Sequence, residues 1–321
     1  MKAIVQAGYG PPSVLELQER GKPSPKDNEV LVRVHASSVN ALDWRLFTFP
    51  LLVRRFIGQG FRRPKDQSCG ADVAGIVEAV GAAVTGFQPG DAVFGTKRGA
   101  FAEYVCAQEK QLVLKPANVS FEAAAAVPVA ALTALQALRD RGRVQVGQKV
   151  LINGAGGGVG TFAVQIAKAF GAEVTAVCSA RNQDVARSLG ADEVIDYARE
   201  DFTTGGRRYD VILNVNGHQP MLACGRALTP DGIYVWVGGA LAAMVQTWFP
   251  GSLLSRLGRR KFRSILANVN RKDLLVLKQL LETGKVVPAI DRRYPLAHVA
   301  DAVNYLLAGH ASGKVVINVH D

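Results

Sequence analysis

The stretch KVLINGAGGGVGTFAVQIAKAFGAEVTAVCSAR, residues 149–181, decides the fold. Its apolar start at 150–152 is typical of a strand buried on both faces, and a helical apolar pattern runs from 161 to 170. A second strand is predicted after that helix, at 173–178. Glycines between the first strand and the helix let the backbone approach a ligand, and the first helical turn offers free amides. The order strand, glycine turn, helix, strand therefore predicts a pyrophosphate site at Gly154, Ala155, Gly156, Gly157, Gly158, Val159 and Gly160.

The end of the second predicted strand indicates which cofactor binds. An NAD site usually places Asp or Glu there to hold the ribose hydroxyls, whereas an NADP site accommodates a phosphate. This chain has Ser179 and Arg181, and no carboxylate precedes Asp184. A 2′-phosphate would meet no repulsion at these residues, so the sequence favours NADPH over NADH.

Strands and helices alternate through the middle of the chain, which predicts a doubly wound parallel sheet. Strands are expected at 149–153, 173–178, 193–196, 209–214 and 232–237, with helices at 159–170, 182–189 and 219–227. Ser120 can cap a helix at 123–126, and Pro128 should interrupt the pattern before a second helix at 131–140. A last strand at 261–267 would lie at the sheet edge, where a second copy of the chain can pair with it.

Short alternating segments separated by Gly and Pro fill residues 1–120 and predict an all-β, barrel-like module. After an amphipathic helix at 270–283, the tail returns to short strands and turns at 286–290, 294–296 and 313–318, with a helix at 297–308 before the last of them. We expect this tail to rejoin the first module. The predicted domains are 1–121 with 285–321, and 122–284, with the nicotinamide at the floor of a cleft between them.

Composition narrows the function classes. The formal charge of +11 comes largely from basic runs at 54–65 and 256–263, yet no nucleic-acid motif accompanies them. We interpret them as solvated surface and nucleic acid as an unlikely partner. No apolar span is long enough for a membrane helix, and no signal peptide is recognisable, so a cytoplasmic location is expected. The four cysteines form no CxxC motif and predict neither a zinc knuckle nor a disulfide framework.

Several stretches in order along the whole chain resemble the medium-chain dehydrogenase/reductase superfamily, in particular its zinc-free quinone oxidoreductase branch. They are SVNALD (38–43), GADVAG (70–75), VEAVG (77–81), PGD (89–91), FAEY (101–104), residues 124–135, GAGGGVG (154–160), LGAD (189–192) and GKVV (313–316). The resemblance implies a GroES-like β-barrel-type catalytic domain beside a Rossmann cofactor domain. Independently of the resemblance, the edge strand predicted at 261–267 favours a homodimer.

The resemblance further implies that no metal takes part. Zinc-dependent members hold a catalytic zinc with Cys, His and Cys, and the matching positions here are Asn40, Ala71 and about Val129. Alanine and valine cannot ligate zinc. Without a Lewis acid, the reaction that remains is hydride transfer from NADPH to an electron-poor quinone or α,β-unsaturated carbonyl. Two alternatives stay open: a zinc-independent alcohol or carbonyl oxidoreductase, and a nucleotide- or RNA-binding relative without turnover.

The family pattern assigns site residues one by one. Asn40 is expected beside the nicotinamide, donating to the substrate oxygen, although it could instead cap a turn. Thr133 matches a nicotinamide contact or is an ordinary helix threonine, and Asp43 and Asp72 should organise the cleft by hydrogen bonds. The remaining cofactor contacts implied by the family are Tyr197, Asn214, Asn216, Gly238, Gly239 and Lys314.

The sequence departs from the family at 44–68, where aromatic residues alternate with arginines. This segment is interpreted as a substrate lid, with a partner surface or a peripheral membrane contact as alternatives. The sequence names neither the physiological acceptor nor a dedicated proton donor.

Overall fold

The computed structural model describes residues 1–43, 64–215, 217, 219–238 and 250–320. Most of the predicted lid, together with Asn216 and Gly239, lies outside the described residues. The chain divides into two compact units, one of residues 1–129, 269–283 and 290–321 and one of residues 130–268 and 284–289. The domain boundaries expected at 121/122 and 284/285 stay predictions.

The described elements alternate in type mainly in the second unit. The strands are β1 Lys2–Gln6, β2 Leu15–Glu19, β3 Glu29–Val39, β4 Asp72–Val80, β5 Ala92–Thr96, β6 Tyr104–Gln108, β7 Leu112–Leu114, β8 Lys149–Asn153, β9 Glu173–Cys178, β10 Glu193–Asp196, β11 Tyr209–Val215, β12 Leu228–Gly238, β13 Lys261–Ser264, β14 Ile290–Pro295 and β15 Lys314–Asn318. The α-helices are α1 Phe121–Ala125, α2 Pro128–Gln136, α3 Gly158–Ala169, α4 Gln183–Ser188, α5 Met221–Arg226, α6 Pro250–Leu257, α7 Arg271–Glu282 and α8 Val299–Leu307.

The second unit contains the predicted parallel sheet, whose strand order is β10-β9-β8-β11-β12-β13. All of its pairings are parallel, as expected for strands connected by helices. Leu151, Ile212 and Tyr234 belong to the core cluster of this sheet. The order reverses between β8 and β11, and ligands bind at such switch points in open α/β sheets. The glycine turn follows β8 directly.

The first unit is built on a seven-stranded sheet in the order β14-β15-β3-β4-β5-β7, with β6 also paired to β3. The tail strand β15 runs antiparallel to β3, with Val315 opposite Val39 and Ile317 opposite Ser37. This pairing brings residue 314, near the end of the chain, next to residue 40. The fold therefore joins two polar positions that are far apart in the sequence.

Several predicted boundaries were wrong. The helical pattern is interrupted directly before Pro128, as predicted, but the second helix begins at Pro128 and not at residue 131, because the first helical turn tolerates a residue that lacks an amide donor. That helix continues as a π-helix, Ala137–Gly142. No strand forms over 286–289, and the strand of that region is β14, Ile290–Pro295. Strand β13 ends at Ser264 rather than at residue 267.

The capping prediction for Ser120 is confirmed, since its side chain accepts from the Ala123 amide at 3.1 Å. Asn270 caps α7 in the same manner, accepting from the Asp273 amide at 2.9 Å. Within the described residues, no helix combines the length and apolar character required to cross a bilayer.

Candidate functional site

The glycine turn after β8 is held tightly between the two neighbouring strands. The amides of Gly154 and Ala155 both donate to the Val177 carbonyl of β9 at 3.0 Å. On the other side, a Cβ added at Gly154 would lie 2.0 Å from the Val215 carbonyl oxygen of β11. Gly154 also has a φ of +93°, which residues other than glycine rarely adopt. Gly160 is equally constrained, because its added Cβ would lie 2.1 Å from the Gly154 oxygen.

The helix that follows the turn has first-turn amides with no partner inside the helix and no side-chain cap. Gly157 is the N-cap residue of α3 and has no side chain to satisfy the amides of the first turn. Among the residues that the structure describes, a Cβ added at Gly157 would meet within 4 Å only the Gly154 oxygen, at 3.7 Å, so these residues leave open the space in front of Gly157. Gly156 differs, since Asn182 packs directly against it. Open space, free amides and the positive end of the helix dipole suit a pyrophosphate.

The residues predicted to select the cofactor lie at the end of β9. Ser179 precedes a single 3-10 turn, Ala180–Asn182, in which Arg181 is exposed. Asp184, the first carboxylate after the strand, has a fully exposed side chain whose Oδ1 lies 3.0 Å from Arg187 Nη1. Tyr197 follows β10 and is 53 % exposed. The second unit thus presents a hydroxyl and a guanidinium where an NAD site would present a carboxylate.

A chain of buried hydrogen bonds links three neighbouring strands, β8, β11 and β12, beside the glycine turn. Asn153 Nδ2 donates to Asn214 Oδ1 at 2.9 Å and to Gln219 Oε1 at 2.8 Å. Asn214 Nδ2 in turn donates to the Tyr234 hydroxyl at 2.9 Å. The predicted cofactor residue Asn214 is 1 % exposed, and both ends of its amide are engaged. Sequence reasoning missed Asn153, although a polar residue at the end of an otherwise apolar strand was the available signal.

A second polar cluster lies in the first unit, where β15 pairs with β3. Lys314 Nζ donates to Asn40 Oδ1 at 2.6 Å and to the Val39 carbonyl at 3.4 Å, and it lies 3.5 Å from Asp72 Oδ2. The Asp72 carboxylate also accepts from Ser38 Oγ at 2.6 Å and from Asn40 Nδ2 at 2.8 Å. Lys314 and Asp72 are 2 % and 0 % exposed. Burial lowers the pKa of Lys314, and the neighbouring Asp72 carboxylate opposes that shift.

Asn40 has little hydrogen-bonding capacity left for a ligand. Its Nδ2 group donates to Asp72 and, through a longer bond of 3.3 Å, to the Ser38 carbonyl. The predicted donation to a substrate oxygen would have to replace that longer bond.

Asp43 closes the turn that follows β3. Its Oδ2 atom accepts from the backbone amide of Asn40 at 2.7 Å, and the backbone amide of Asp43 donates to the backbone carbonyl of Asn40 at 3.0 Å. Burial raises the pKa of Asp43 to about 7, the Asp72 carboxylate adds to the rise, and the Asn40 amide and Lys314 oppose it. Asp43 is therefore partly protonated near neutral pH.

The other predicted positions are placed as follows. Thr133 lies on α2 and is half-buried, and Gly238 ends β12. Lys314 is enclosed among Asn40, Val39 and Asp72 in the first unit, and its contact with the cofactor stays a prediction.

The positions that match zinc ligands in the superfamily do not fit zinc here. Asn40 Oδ1 already accepts from an ammonium group, Ala71 has no donor atom, and the Val129 amide donates to Asp72 Oδ1 at 2.8 Å. A divalent cation at Asn40 would meet the like charge of Lys314. In the part of the chain that the structure describes, no three His, Cys, Asp or Glu side chains are grouped to hold a metal.

Two family models match the chain. Residues 26–117 match the alcohol dehydrogenase GroES-like domain, and residues 189–317 match the zinc-binding dehydrogenase domain. The chain belongs to the medium-chain dehydrogenase/reductase superfamily, with its GroES-like and Rossmann parts.

Individual relatives and a solved structure show which members of this superfamily the chain resembles. A chloroplast envelope quinone oxidoreductase homolog of Arabidopsis thaliana is 33 % identical over 99 % of this chain and 98 % of its own length. An NADPH-dependent alkenal/one oxidoreductase from the same plant is 34 % identical over 99 % of this chain and 79 % of its own. The solved quinone oxidoreductase of Coxiella burnetii superposes with a TM-score of 0.87 at 31 % identity, covering 100 % of this chain and 99 % of its own.

Proposed function

We propose that this protein is an NADPH-dependent reductase that delivers hydride to a quinone or an α,β-unsaturated carbonyl without a metal. The observation that carries the proposal is the Lys314–Asn40–Asp72 cluster. One of its residues, Asn40, occupies a position where zinc-dependent members of the superfamily place a ligand, and the cluster offers an amide and an ammonium there instead of a Lewis acid. The relatives named as quinone and alkenal/one oxidoreductases support the substrate class.

The residues that would hold NADPH belong to the second unit. The amides at the start of α3 suit the pyrophosphate, and Ser179 and Arg181 suit the 2′-phosphate. NADPH would supply the hydride. Thr133, Tyr197, Gly238 and the undescribed Asn216 and Gly239 remain proposed contacts on the strength of the family pattern.

The first unit would stabilise negative charge on the acceptor. When hydride adds to the β-carbon of an enone, an electron pair moves to the carbonyl oxygen and forms an enolate, which takes a proton from solvent. Asn40 can donate to that oxygen by giving up its 3.3 Å bond to the Ser38 carbonyl. The Lys314 ammonium, 2.6 Å from Asn40 Oδ1, polarises the amide and strengthens its N–H donor.

The test follows the absorbance of NADPH with 1,4-benzoquinone, an alkenal and an aldehyde as acceptors, alongside metal analysis of the same preparation. Oxidation with the quinone or the alkenal, in protein free of stoichiometric zinc, is expected. Turnover with the aldehyde alone would favour a carbonyl reductase, and tight NADPH binding without turnover would favour a nucleotide-binding relative. Loss of activity on chelation, restored by zinc, would refute the metal-free assignment.

Replacing Arg181 with Asp tests the cofactor assignment. The change places a carboxylate where the 2′-phosphate is expected, so the Kd for NADPH should rise at least about tenfold while that for NADH changes little. Isothermal titration of both nucleotides measures the two constants. Arg187→Asp on α4 is the matched control, because it reverses the charge of an arginine that is not assigned to the 2′-phosphate. An equal loss for both nucleotides in Arg181→Asp would contradict the assignment.

Gly157→Ala tests where the pyrophosphate lies. The added methyl group enters open space, and Gly157 has a φ of −88°, so the free energy of unfolding should fall by no more than about 1 kcal/mol. The methyl group would occupy the space that we assign to the phosphates, and the NADPH Kd should rise at least about tenfold. Gly21→Ala, far from this turn in the sequence, is the control for a glycine substitution as such, because a Cβ added there also enters open space and its φ is not positive; no change in Kd is expected. An unchanged NADPH Kd in Gly157→Ala would place the pyrophosphate elsewhere.

We further propose a homodimer in which β13 pairs with its copy, because β13 ends the sheet order and pairs with β12 on one side. Sedimentation equilibrium measures the mass, and a monomer at micromolar concentration would refute the proposal.

The cytoplasmic location also remains a proposal, to be tested by cell fractionation.

A further inference from the structure

The buried chain Asn153–Asn214–Tyr234 has no role in the function proposed above. Asn153 ends β8, Asn214 is the last residue but one of β11, and Tyr234 lies within β12; their exposed fractions are 3 %, 1 % and 1 %. At such burial none of the three side chains is available to touch a nucleotide. The hydrogen bonds run in one direction, from Asn153 to Asn214 and from Asn214 to the Tyr234 hydroxyl.

This chain lies immediately beside the glycine turn. Asn153 is the residue before Gly154, whose added Cβ would lie 2.0 Å from the carbonyl oxygen of Val215, the residue after Asn214. The amide pair therefore connects the two backbone segments whose separation determines the shape of the turn. A shift of a few tenths of an ångström between β8 and β11 would move the turn or push Gly154 into Val215.

Gly217 and Gln219, which follow β11, contact the same pair of side chains, Asn153 and Asn214. A Cβ added at Gly217 would lie 1.9 Å from Asn153 Nδ2 and 2.3 Å from Asn214 Oδ1. Gln219 accepts the second proton of Asn153 Nδ2 at 2.8 Å. One buried amide group thus holds the glycine turn on one side and the loop after β11 on the other.

The geometry points to Asn153, Asn214 and Tyr234 as positioning residues that hold the glycine turn in the shape required to bind the cofactor. This inference rests on the proposed function for the identity of the ligand, NADPH. That the three side chains fix the shape of the glycine turn can be tested in the unliganded protein. Buried hydrogen bonds between side chains suit the task, because breaking one leaves an unsatisfied polar group whose neighbours must move or admit water. Asn214 then acts through the turn and not by direct contact with the cofactor.

Two variants and one control test the inference by isothermal titration with NADPH. Asn214→Leu removes both bonds of the central amide and should raise the NADPH Kd about tenfold. Tyr234→Phe keeps the ring and removes only the far acceptor, so it should fold normally and raise the Kd about threefold. Tyr209→Phe, at the opposite end of β11, is the matched control and should leave the Kd unchanged. The kcat measured at saturating NADPH should change little in all three proteins.

Hydrogen exchange of the unliganded proteins separates this inference from the proposed function. Peptides covering 153–160 should exchange faster in Asn214→Leu and Tyr234→Phe than in the wild type, while peptides covering α7 should not. If the wild type binds no NADPH, the proposed function fails, and the exchange result still decides on the positioning role. Unchanged exchange of the turn, or lower stability with the wild-type Kd in Tyr234→Phe, would overturn the inference.

Discussion

Lys314→Met is expected to lower the free energy of unfolding by about 3–5 kcal/mol. Asp72 is 0 % exposed, and Lys314 Nζ, 3.5 Å from its Oδ2, is the cation of that cluster. Methionine has a similar length but no charge, so the carboxylate would remain buried without its counter-ion. Burial lowers the pKa of Lys314, so bringing the charged pair into the interior itself costs free energy. The stability lost in Lys314→Met is therefore the cost of leaving Asp72 charged and unpaired, and it is not the contribution of the ion pair to stability.

The double variant Lys314→Met/Asp72→Asn separates these two effects. It removes both charges, and the Asn40 amide, released from Lys314, can turn its oxygen toward the amide introduced at position 72. We expect the double variant to regain most of the stability lost in Lys314→Met, as measured by urea unfolding of all four members of the cycle. A double variant as unstable as the sum of the two single variants would show that the cluster is not held by this charge balance.

Asp43→Asn is expected to stabilise the protein, and more so as the pH rises. Burial raises the pKa of Asp43 from 3.8 to about 7. Ionising this carboxyl costs more in the folded than in the unfolded state, so the favourable contribution present below pH 4 is lost as the pH rises through 7. Asparagine retains an oxygen for the Asn40 amide and carries no charge. The gain in unfolding free energy should be about 2 kcal/mol at pH 5 and about 4 kcal/mol at pH 8.

Urea unfolding of wild type and Asp43→Asn at these two pH values tests the prediction. Asp184→Asn is the matched control, because the Asp184 side chain is fully exposed and its removal should change stability by less than about 0.5 kcal/mol at either pH. A gain that is the same at pH 5 and pH 8 would show that Asp43 does not titrate between them. A loss of stability at pH 8 would indicate that ionised Asp43 is held by its Asn40 bond more strongly than burial opposes it.

Most of the second unit could be predicted from local sequence. Between residues 149 and 238 the spacing of apolar residues indicates strands and helices segment by segment. The glycine turn lies between β8 and α3, both of which this spacing predicts. The errors occurred where local pattern and packing differ: Pro128 suits the start of a helix as well as its end, and the tail strand begins at Ile290 because there it can pair with β15. The predicted preference for NADPH needed only the residues after β9.

What the sequence by itself determined is the order of elements, the glycine turn with its basic neighbour Arg181, and the superfamily. Only the tertiary structure decided the partners of its buried polar groups. Lys314 meets Asn40 because β15 pairs with β3, and Asn153 meets Asn214 and Tyr234 because β8, β11 and β12 are adjacent in the sheet. The physical reason is that hydrogen bonds and ion pairs form between groups a few ångströms apart, and no local pattern records which distant residues a strand pairing will bring to that distance.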